Sequence, residues 1–226
     1  YYQRVEVYVL SRVVFVIPAS FSKDSYRISL GQDKKGITTI RKRQDSMNDT
    51  KPIQSEDITL TAADGYQIAA TRFYAEGPLH GHLIMAGATG VRQEFYRRFA
   101  EFASRRGFTT LTLDYRGIGR SKPASLKGFT MNFTDWATLD LAAGVDAMAD
   151  DTVPLFMAGH SFGGHALGLL PNHHRIRGCY VFATGSGWHG WMPTLESLRV
   201  RLMWNLVLPL VTRWKGYSPW AMLGMG

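Results

Sequence analysis

The chain has 226 residues, of which 45% are hydrophobic and 19% are charged. This length and composition support one domain with a buried core and exclude a chain that is mainly disordered. The net charge of +8 is unevenly placed, because residues 1–46 carry 9 Lys/Arg and 4 Asp/Glu whereas residues 47–226 carry 17 and 14. We therefore interpret the basic run at 34–43 as a solvated tail rather than an anion-binding arm, and we predict no nucleic-acid partner.

Residues 1–46 connect poorly with the pattern that follows them. The sequence begins with Tyr, and Met47 opens a stretch that is typical of the start of a domain. We predict that residues 1–46 are a poorly ordered or non-native extension, that residues 47–187 form the core domain, and that residues 188–226 begin a cap.

The first regular elements form a hairpin. Two alternating runs flank Asp64-Gly65 between residues 57 and 74, which is a strong signal for two antiparallel strands.

Strands and helices then alternate along the chain. Apolar runs at 82–87, 108–115, 154–159 and 178–185 predict strands, and the segments 91–107, 135–151 and 162–170 predict helices, with Asp135 as a cap. This alternation predicts an α/β fold with a mostly parallel sheet, an antiparallel N-terminal hairpin and helices on both faces.

The composition changes after residue 186, where five of the six Trp residues lie within 33 residues and no clear strand pattern follows. These helical stretches are typical of a partial cap over the carboxyl edge of the sheet, and a helix pair on the side of the sheet is the alternative. No apolar run reaches the roughly 18 residues of a membrane span.

The single cysteine, Cys179, lies in an apolar run and is interpreted as a core residue. Because one cysteine cannot form an intrachain disulfide, we predict a reducing, cytoplasmic compartment.

The segment Gly159-His160-Ser161-Phe162-Gly163 matches G-x-S-x-G between a predicted strand and a predicted helix. This context is that of a nucleophile elbow, so we predict Ser161 as a catalytic nucleophile. The oxyanion donors would be the backbone N–H groups of Phe162 and Ala88, with Thr89 as the alternative to Ala88 and as a candidate substrate contact.

The motifs at 85–123, 128–148 and 159–191 together resemble a bacterial branch of the α/β-hydrolase superfamily, akin to the serine aminopeptidase and monoglyceride lipase group. The resemblance implies a serine hydrolase that cleaves an ester or amide of a small-molecule acyl substrate. It also implies that Asp114, Arg116, Gly117 and Ser121 belong to the scaffold, and that no cofactor or metal is needed.

The sequence departs from the family order of Ser, acid and His. The only carboxylate after Ser161 is Glu196, and the later histidines (His165, His173, His174 and His189) all precede it. We therefore expect the last strands, with the acid and the histidine, to lie beyond Gly226, and we expect this fragment to be inactive without them. We expect His160 to pack behind the turn, His165 to be buried or structural, and His189 to contact substrate.

Two alternatives stay open. An acyltransferase would use the same fold with an alcohol or thiol in place of water, and a non-catalytic hydrolase-like protein would only bind its ligand. The sequence does not indicate the oligomeric state.

Overall fold

The computed structural model describes residues 52–185 and 188–217, together with the backbone of two strands, β1 (Val5–Leu10) and β2 (Val13–Pro18). The rest of the predicted extension, Met47 and Trp220 lie outside the described residues, so the proposed domain boundaries stay predictions.

Eight strands form one sheet in the order β1-β2-β8-β7-β5-β6-β4-β3. The remaining strands are β3 (Ser55–Thr61), β4 (Gln67–Phe73), β5 (Gly81–Ala86), β6 (Phe108–Leu113), β7 (Leu155–His160) and β8 (Ile176–Phe182). Strands β6, β5, β7 and β8 are parallel neighbours, whereas β1–β2, β2–β8, β3–β4 and β4–β6 pair antiparallel. The predicted α/β fold, with parallel strands at the centre of the sheet and an antiparallel hairpin, is confirmed.

The hairpin turns where the sequence predicts it. Gly65 has a φ of 86°, and the N–H of Tyr66 donates to the side chain of Asp64 over 3.2 Å. An Asp that accepts from the backbone two residues on, followed by a residue with positive φ, is a common way to close such a turn.

Helices cover both faces of the sheet. On one face, α2 (Ala142–Met148) follows a π-helical stretch, Trp136–Leu141, and packs on Ile84 of β5. A Cβ on Gly144 would lie 2.8 Å from Ile84 Cδ1, so this glycine lets α2 approach the sheet closely. On the other face, Met85 packs on Tyr96 and Ala158 below α1 (Arg97–Ser104).

The start of the predicted helix at 135–151 differs from the expectation. The side chain of Asp135 does not cap the helix but accepts the N–H of Asn132 over 2.8 Å. The carbonyl of Thr134 already accepts the amides of Ala137 and Thr138, so the chain turns into the helix one residue before Asp135.

The segment that we predict to begin a cap, called the cap segment below, is described over residues 188–217 and is largely helical there. It comprises α4 (Thr194–Leu202), a π-helical stretch (Met203–Val207) and α5 (Leu208–Lys215). Leu208 is the only residue of these three elements that is buried among the described parts of the chain. At the end of α5, a Cβ on Gly216 would lie 3.4 Å from Lys127, so α5 ends beside the loop that follows β6.

Candidate active site

Ser161 stands on a sharp corner between β7 and α3 (Phe162–Ala166). Its φ of 50° and ψ of −112° lie in a region that residues other than glycine rarely adopt. A strained serine at a strand-to-helix turn is what the sequence motif predicts here, and the catalytic role of Ser161 stays a prediction.

Three glycines make room for this corner. A Cβ on Gly159 would lie 2.7 Å from the amide nitrogen of Gly164, and a Cβ on Gly163 would overlap the carbonyl oxygen of Ala86. A Cβ on Gly164 would overlap the hydroxyl of Thr184. Close approach of backbone therefore requires glycine at 159 and 163, and the side chain of Thr184 requires it at 164.

The backbone of Ser161 is held by β8 and the loop that follows it. Its N–H donates to the carbonyl of Phe182 over 3.1 Å, and the hydroxyl of Thr184 donates to its carbonyl over 3.1 Å. The residue is partly exposed, and among the described residues no group hydrogen-bonds its side-chain hydroxyl. The hydroxyl is thus accessible and unengaged.

Phe162 is fixed by an aromatic cluster. Its ring packs against Phe133, Trp136 and Tyr115, with ring centroids 4.6, 5.5 and 5.8 Å away. Its amide is the first of α3 and donates to no described residue, so it is free to face an anion.

The loop after β5 carries the other predicted donors. The N–H of Ala88 donates to the hydroxyl of Tyr96 over 2.8 Å, so this amide already has an acceptor inside the molecule. Thr89 is partly exposed, and its amide donates to no residue that the structure describes. Gly90 closes the loop with a φ of 73°.

His160 packs behind the elbow. Its ring stacks on Phe182 with centroids 4.8 Å apart and an interplanar angle of 9°. Its Nδ1 lies 2.9 Å from the hydroxyl of Tyr96. Burial lowers the pKa of His160, so the imidazole is neutral at pH 7. This placement agrees with the packing role that we expect for it.

The four later histidines and Glu196 lie in other environments. His165 is exposed rather than buried, because it faces the loop after β8, where its Nε2 contacts the carbonyl of Gly185 at 2.9 Å. His189 is half-buried and stacks on Trp188 at 4.6 Å. Glu196 forms an exposed ion pair with Arg199 on the same helix. All seven histidines of the sequence lie among the described residues, and none hydrogen-bonds the Ser161 hydroxyl.

The residues interpreted as scaffold form a buried polar network below the site. Asp114 is fully buried and accepts the amide and the side-chain N–H of Gln93 and the amide of Arg120. Arg116 pairs with Asp140 at 2.7 Å and with Asp64 of the hairpin at 2.6 Å. Burial raises the pKa of Asp140 to about 6, against the lowering effect of Arg116, so the carboxylate is charged at pH 7.

Sequence reasoning missed two residues near the site, Gln93 and Tyr96. Both are polar side chains less than 5% exposed, and both follow the loop after β5. Most of their hydrogen-bond partners are distant in sequence. The spacing of the neighbouring phenylalanines predicts a helix over 91–107, but it does not predict these hydrogen bonds.

A comparison with models of known protein families identifies the family of this chain. The model of the serine aminopeptidase family S33 matches residues 81–215, which is more than half of the chain. The chain belongs to the S33 family. The matched range includes Ser161 and both predicted oxyanion segments, and the architecture around them is the α/β-hydrolase fold of this family.

Solved structures similar to this S33 chain are more distant. They include a hypothetical protein from Pseudomonas aeruginosa, at 19% identity over 73% of this chain and 55% of that chain, with a TM-score of 0.49. An α/β serine hydrolase without a lid from Xanthomonas campestris is 19% identical over 51% and 55%, with a TM-score of 0.42. A thermostable carboxyl esterase from Bacillus coagulans is 16% identical over 52% and 40%, with a TM-score of 0.43.

The S33 chain therefore spans between 40% and 55% of the length of these three proteins. None of the curated proteins matches it.

The described residues contain neither a metal-binding group nor a membrane-spanning helix. In the described part of the chain, no group of three His, Cys, Asp or Glu side chains is placed to hold a metal ion. No helix among the described residues has both the length and the apolar character that crossing a bilayer requires.

Proposed function

We propose that this S33 family member is a serine hydrolase in which Ser161 attacks the carbonyl carbon of an ester or amide. The observation that carries this proposal is the conformation of Ser161. This serine has a φ of 50°, and the glycines around it occupy positions where a side chain would clash with neighbouring atoms. A turn with only a packing role has no need of strain at a polar, accessible residue.

In the proposed reaction, the Ser161 oxygen forms a bond to the carbonyl carbon as a histidine base takes its proton. The tetrahedral oxyanion accepts hydrogen bonds from Phe162 N–H and from Thr89 N–H, the alternative to Ala88, because Ala88 N–H already donates to the Tyr96 hydroxyl. The leaving alcohol or amine departs with the proton, and water then cleaves the acyl-enzyme. Removing one such donor typically costs about 10²–10³-fold in rate.

This mechanism requires a base and an acid besides Ser161. None of the seven histidines hydrogen-bonds its hydroxyl in the described structure, and Glu196 is committed to an exposed ion pair. The proposal leaves the base and the acid unassigned, and its test uses the full-length natural protein.

The surroundings of Ser161 favour an apolar acyl group. Phe133, 54% exposed, touches Phe162 on one side, and Phe95, 70% exposed, lies 6.4 Å from the His160 ring on the other. The partly exposed pair Trp188–His189 begins the segment that leads into the cap. Exposed aromatic rings beside both chain neighbours of Ser161 suit a small-molecule substrate with a hydrocarbon or aromatic acyl part.

A fluorophosphonate probe tests the proposal. Attack by the Ser161 oxygen on phosphorus displaces fluoride and leaves a stable covalent adduct. We expect the full-length protein to be labelled, Ser161→Ala to lose labelling entirely, and Ser55→Ala, which removes an exposed hydroxyl on β3, to label like the unsubstituted protein.

Labelling that persists in Ser161→Ala would contradict the assignment of the nucleophile. A folded full-length protein that is not labelled at all would favour the non-catalytic binding alternative. If labelling is confirmed, competing alcohols or thiols in the assay separate hydrolysis from acyl transfer, because only a transferase forms the new ester or thioester.

A further inference from the structure

Tyr96 lies between the two segments that the proposed function brings together. It follows the loop after β5, and only 4% of its surface is exposed. Its hydroxyl accepts the N–H of Ala88 at 2.8 Å and lies 2.9 Å from Nδ1 of His160, the neighbour of Ser161. One side chain therefore contacts both the proposed oxyanion loop and the elbow.

One of these two hydrogen bonds has a fixed direction. An amide N–H can only donate, so the tyrosine oxygen accepts from Ala88. The tautomer of His160 sets the direction of the other hydrogen bond, and with Nδ1 unprotonated the Tyr96 hydroxyl donates to it. In either direction, the hydroxyl of Tyr96 connects Ala88 to His160.

The ring of Tyr96 is held independently of its hydroxyl. A Cβ on Gly87 would lie 3.1 Å from Tyr96 Cε2, and the rings of Phe95 and His160 meet Tyr96 edge to face at 5.1 and 5.9 Å. Replacing Tyr96 by Phe therefore keeps the packing and removes only the hydrogen bonds. It leaves the buried Ala88 amide and the His160 nitrogen without partners.

We propose that Tyr96 is a positioning residue for the hydrolytic reaction, acting through its hydroxyl on Ala88 and His160. This inference rests on the proposed function of Ser161. The hydroxyl fixes the orientation of the Ala88 peptide and ties the loop to the residue before the nucleophile. Without it, the loop amides are free to turn away from the position of the oxyanion, and small misplacements of such groups reduce rates strongly.

The test compares Tyr96→Phe with Tyr66→Phe in the full-length protein. Tyr66 also buries part of its ring and donates its hydroxyl to a backbone oxygen, that of Ser121, at 2.6 Å, but it belongs to the hairpin and not to the site. Both variants lose one tyrosine hydroxyl. We expect Tyr96→Phe to lower the rate constant of fluorophosphonate labelling and the kcat for an ester about tenfold or more with little change in KM, and Tyr66→Phe to leave both near the unsubstituted values.

A double-mutant cycle with His160 separates positioning from packing. His160→Phe keeps the stacking on Phe182 but removes the acceptor, whereas His160→Asn places an amide oxygen near the position of Nδ1. We expect His160→Phe and Tyr96→Phe to be non-additive in labelling rate, and His160→Asn to recover part of the loss caused by His160→Phe. Thermal unfolding of each variant confirms that the folded state is retained.

Equal labelling rates in Tyr96→Phe and Tyr66→Phe would overturn this inference while leaving the proposed function intact. Additive effects of the Tyr96 and His160 substitutions would also overturn it. A full-length protein that is folded and never labelled would overturn the proposed function, and this inference with it.

Discussion

At the scale of single residues, the most constrained positions are the glycines around Ser161. Gly163 has no space for a side chain, because the carbonyl of Ala86 at the end of β5 occupies the place of a Cβ. The backbone of α3 is therefore in direct contact with the end of β5. The two turns that flank the proposed oxyanion position, after β5 and after β7, lie as close together as the chain allows.

We predict that Gly163→Ala destabilises the protein by about 2–3 kcal/mol or more, because the added methyl must displace backbone rather than a flexible side chain. Gly168→Ala is the matched control on the same helical segment. Its Cβ would meet nothing within 4 Å, so we expect no loss and a small gain from reduced freedom of the unfolded chain. Urea denaturation of both variants measures the difference, and equal midpoints would contradict the prediction.

The sequence predicted this part of the site from local signals. The strand, the turn and the helix around Ser161 lie within 17 residues, and the required glycines are part of the motif. Tyr96 could not be found in that way, because its hydroxyl partners lie 8 and 64 residues away. The same limit applies to the Ala88 amide, whose acceptor depends on how the following helical turn packs.

At the scale of elements, Arg116 joins the β3–β4 hairpin to the π-helical stretch. Its guanidinium, 5% exposed, pairs with Asp64 at the tip of the β3–β4 hairpin and with Asp140 in the π-helical stretch, while its carbonyl accepts the indole N–H of Trp136. Trp136 in turn packs on Phe162. The hairpin is thereby connected through the side chains of Arg116 and Trp136 to Phe162, the residue that follows Ser161.

We predict that the two carboxylates contribute unequally to stability. Asp140 is fully buried, and Asp140→Ala leaves a buried cation with one partner fewer, for which we expect a loss of about 3–5 kcal/mol. The side chain of Asp64 is 40% exposed, so Asp64→Ala should cost about 1 kcal/mol or less because water replaces part of the contact. Chemical denaturation at pH 7 compares the variants, and a larger loss in Asp64→Ala would contradict the assignment.

The ion pair of Asp64 with Arg116 makes the free energy of unfolding depend on pH. Hydrogen bonds from Arg116 hold the pKa of Asp64 below its usual value. A carboxyl with a lowered pKa in the folded state stabilises that state above its unfolded pKa, and this contribution is lost as the pH falls through the folded pKa. Below about pH 4, the free energy of unfolding should therefore fall more steeply in the unsubstituted protein than in Asp64→Asn.

The irregular helices show where sequence periodicity was insufficient. The apolar spacing predicted one helix over 135–151, whereas the chain forms a π-helical stretch before α2. In this stretch, Asp140 accepts a hydrogen bond from Arg116, and the ring of Trp136 stacks on Tyr115. These are tertiary contacts, which the spacing of apolar residues does not reveal. Spacing alone does not distinguish the two forms.

At the scale of the whole molecule, the sheet and its two helical layers form a dense core, whereas the cap segment is anchored lightly. Leu195, Leu198, Leu202, Leu206 and Leu210 are all at least half exposed among the described residues, and Leu208 is 6% exposed. Composition predicted a helical segment here, but it did not indicate which leucine holds the segment in place.

We predict that Leu208→Ala lowers the free energy of unfolding of the cap segment by about 2–3 kcal/mol, since it removes the buried contact. Leu202→Ala, at a site that is 51% exposed, should cost less than about 1 kcal/mol. Hydrogen exchange of residues 194–215 measures the local effect. Similar exchange in both variants would show that the anchor lies elsewhere.

The absence of side chains between Gly163 and Ala86 has a mechanical consequence. With backbone in direct contact with backbone, the corner that carries Ser161 and the end of β5 must move together as one rigid unit. A ligand at this corner therefore cannot separate the two turns to make room for itself, and the space that it needs must come from the side chains around them.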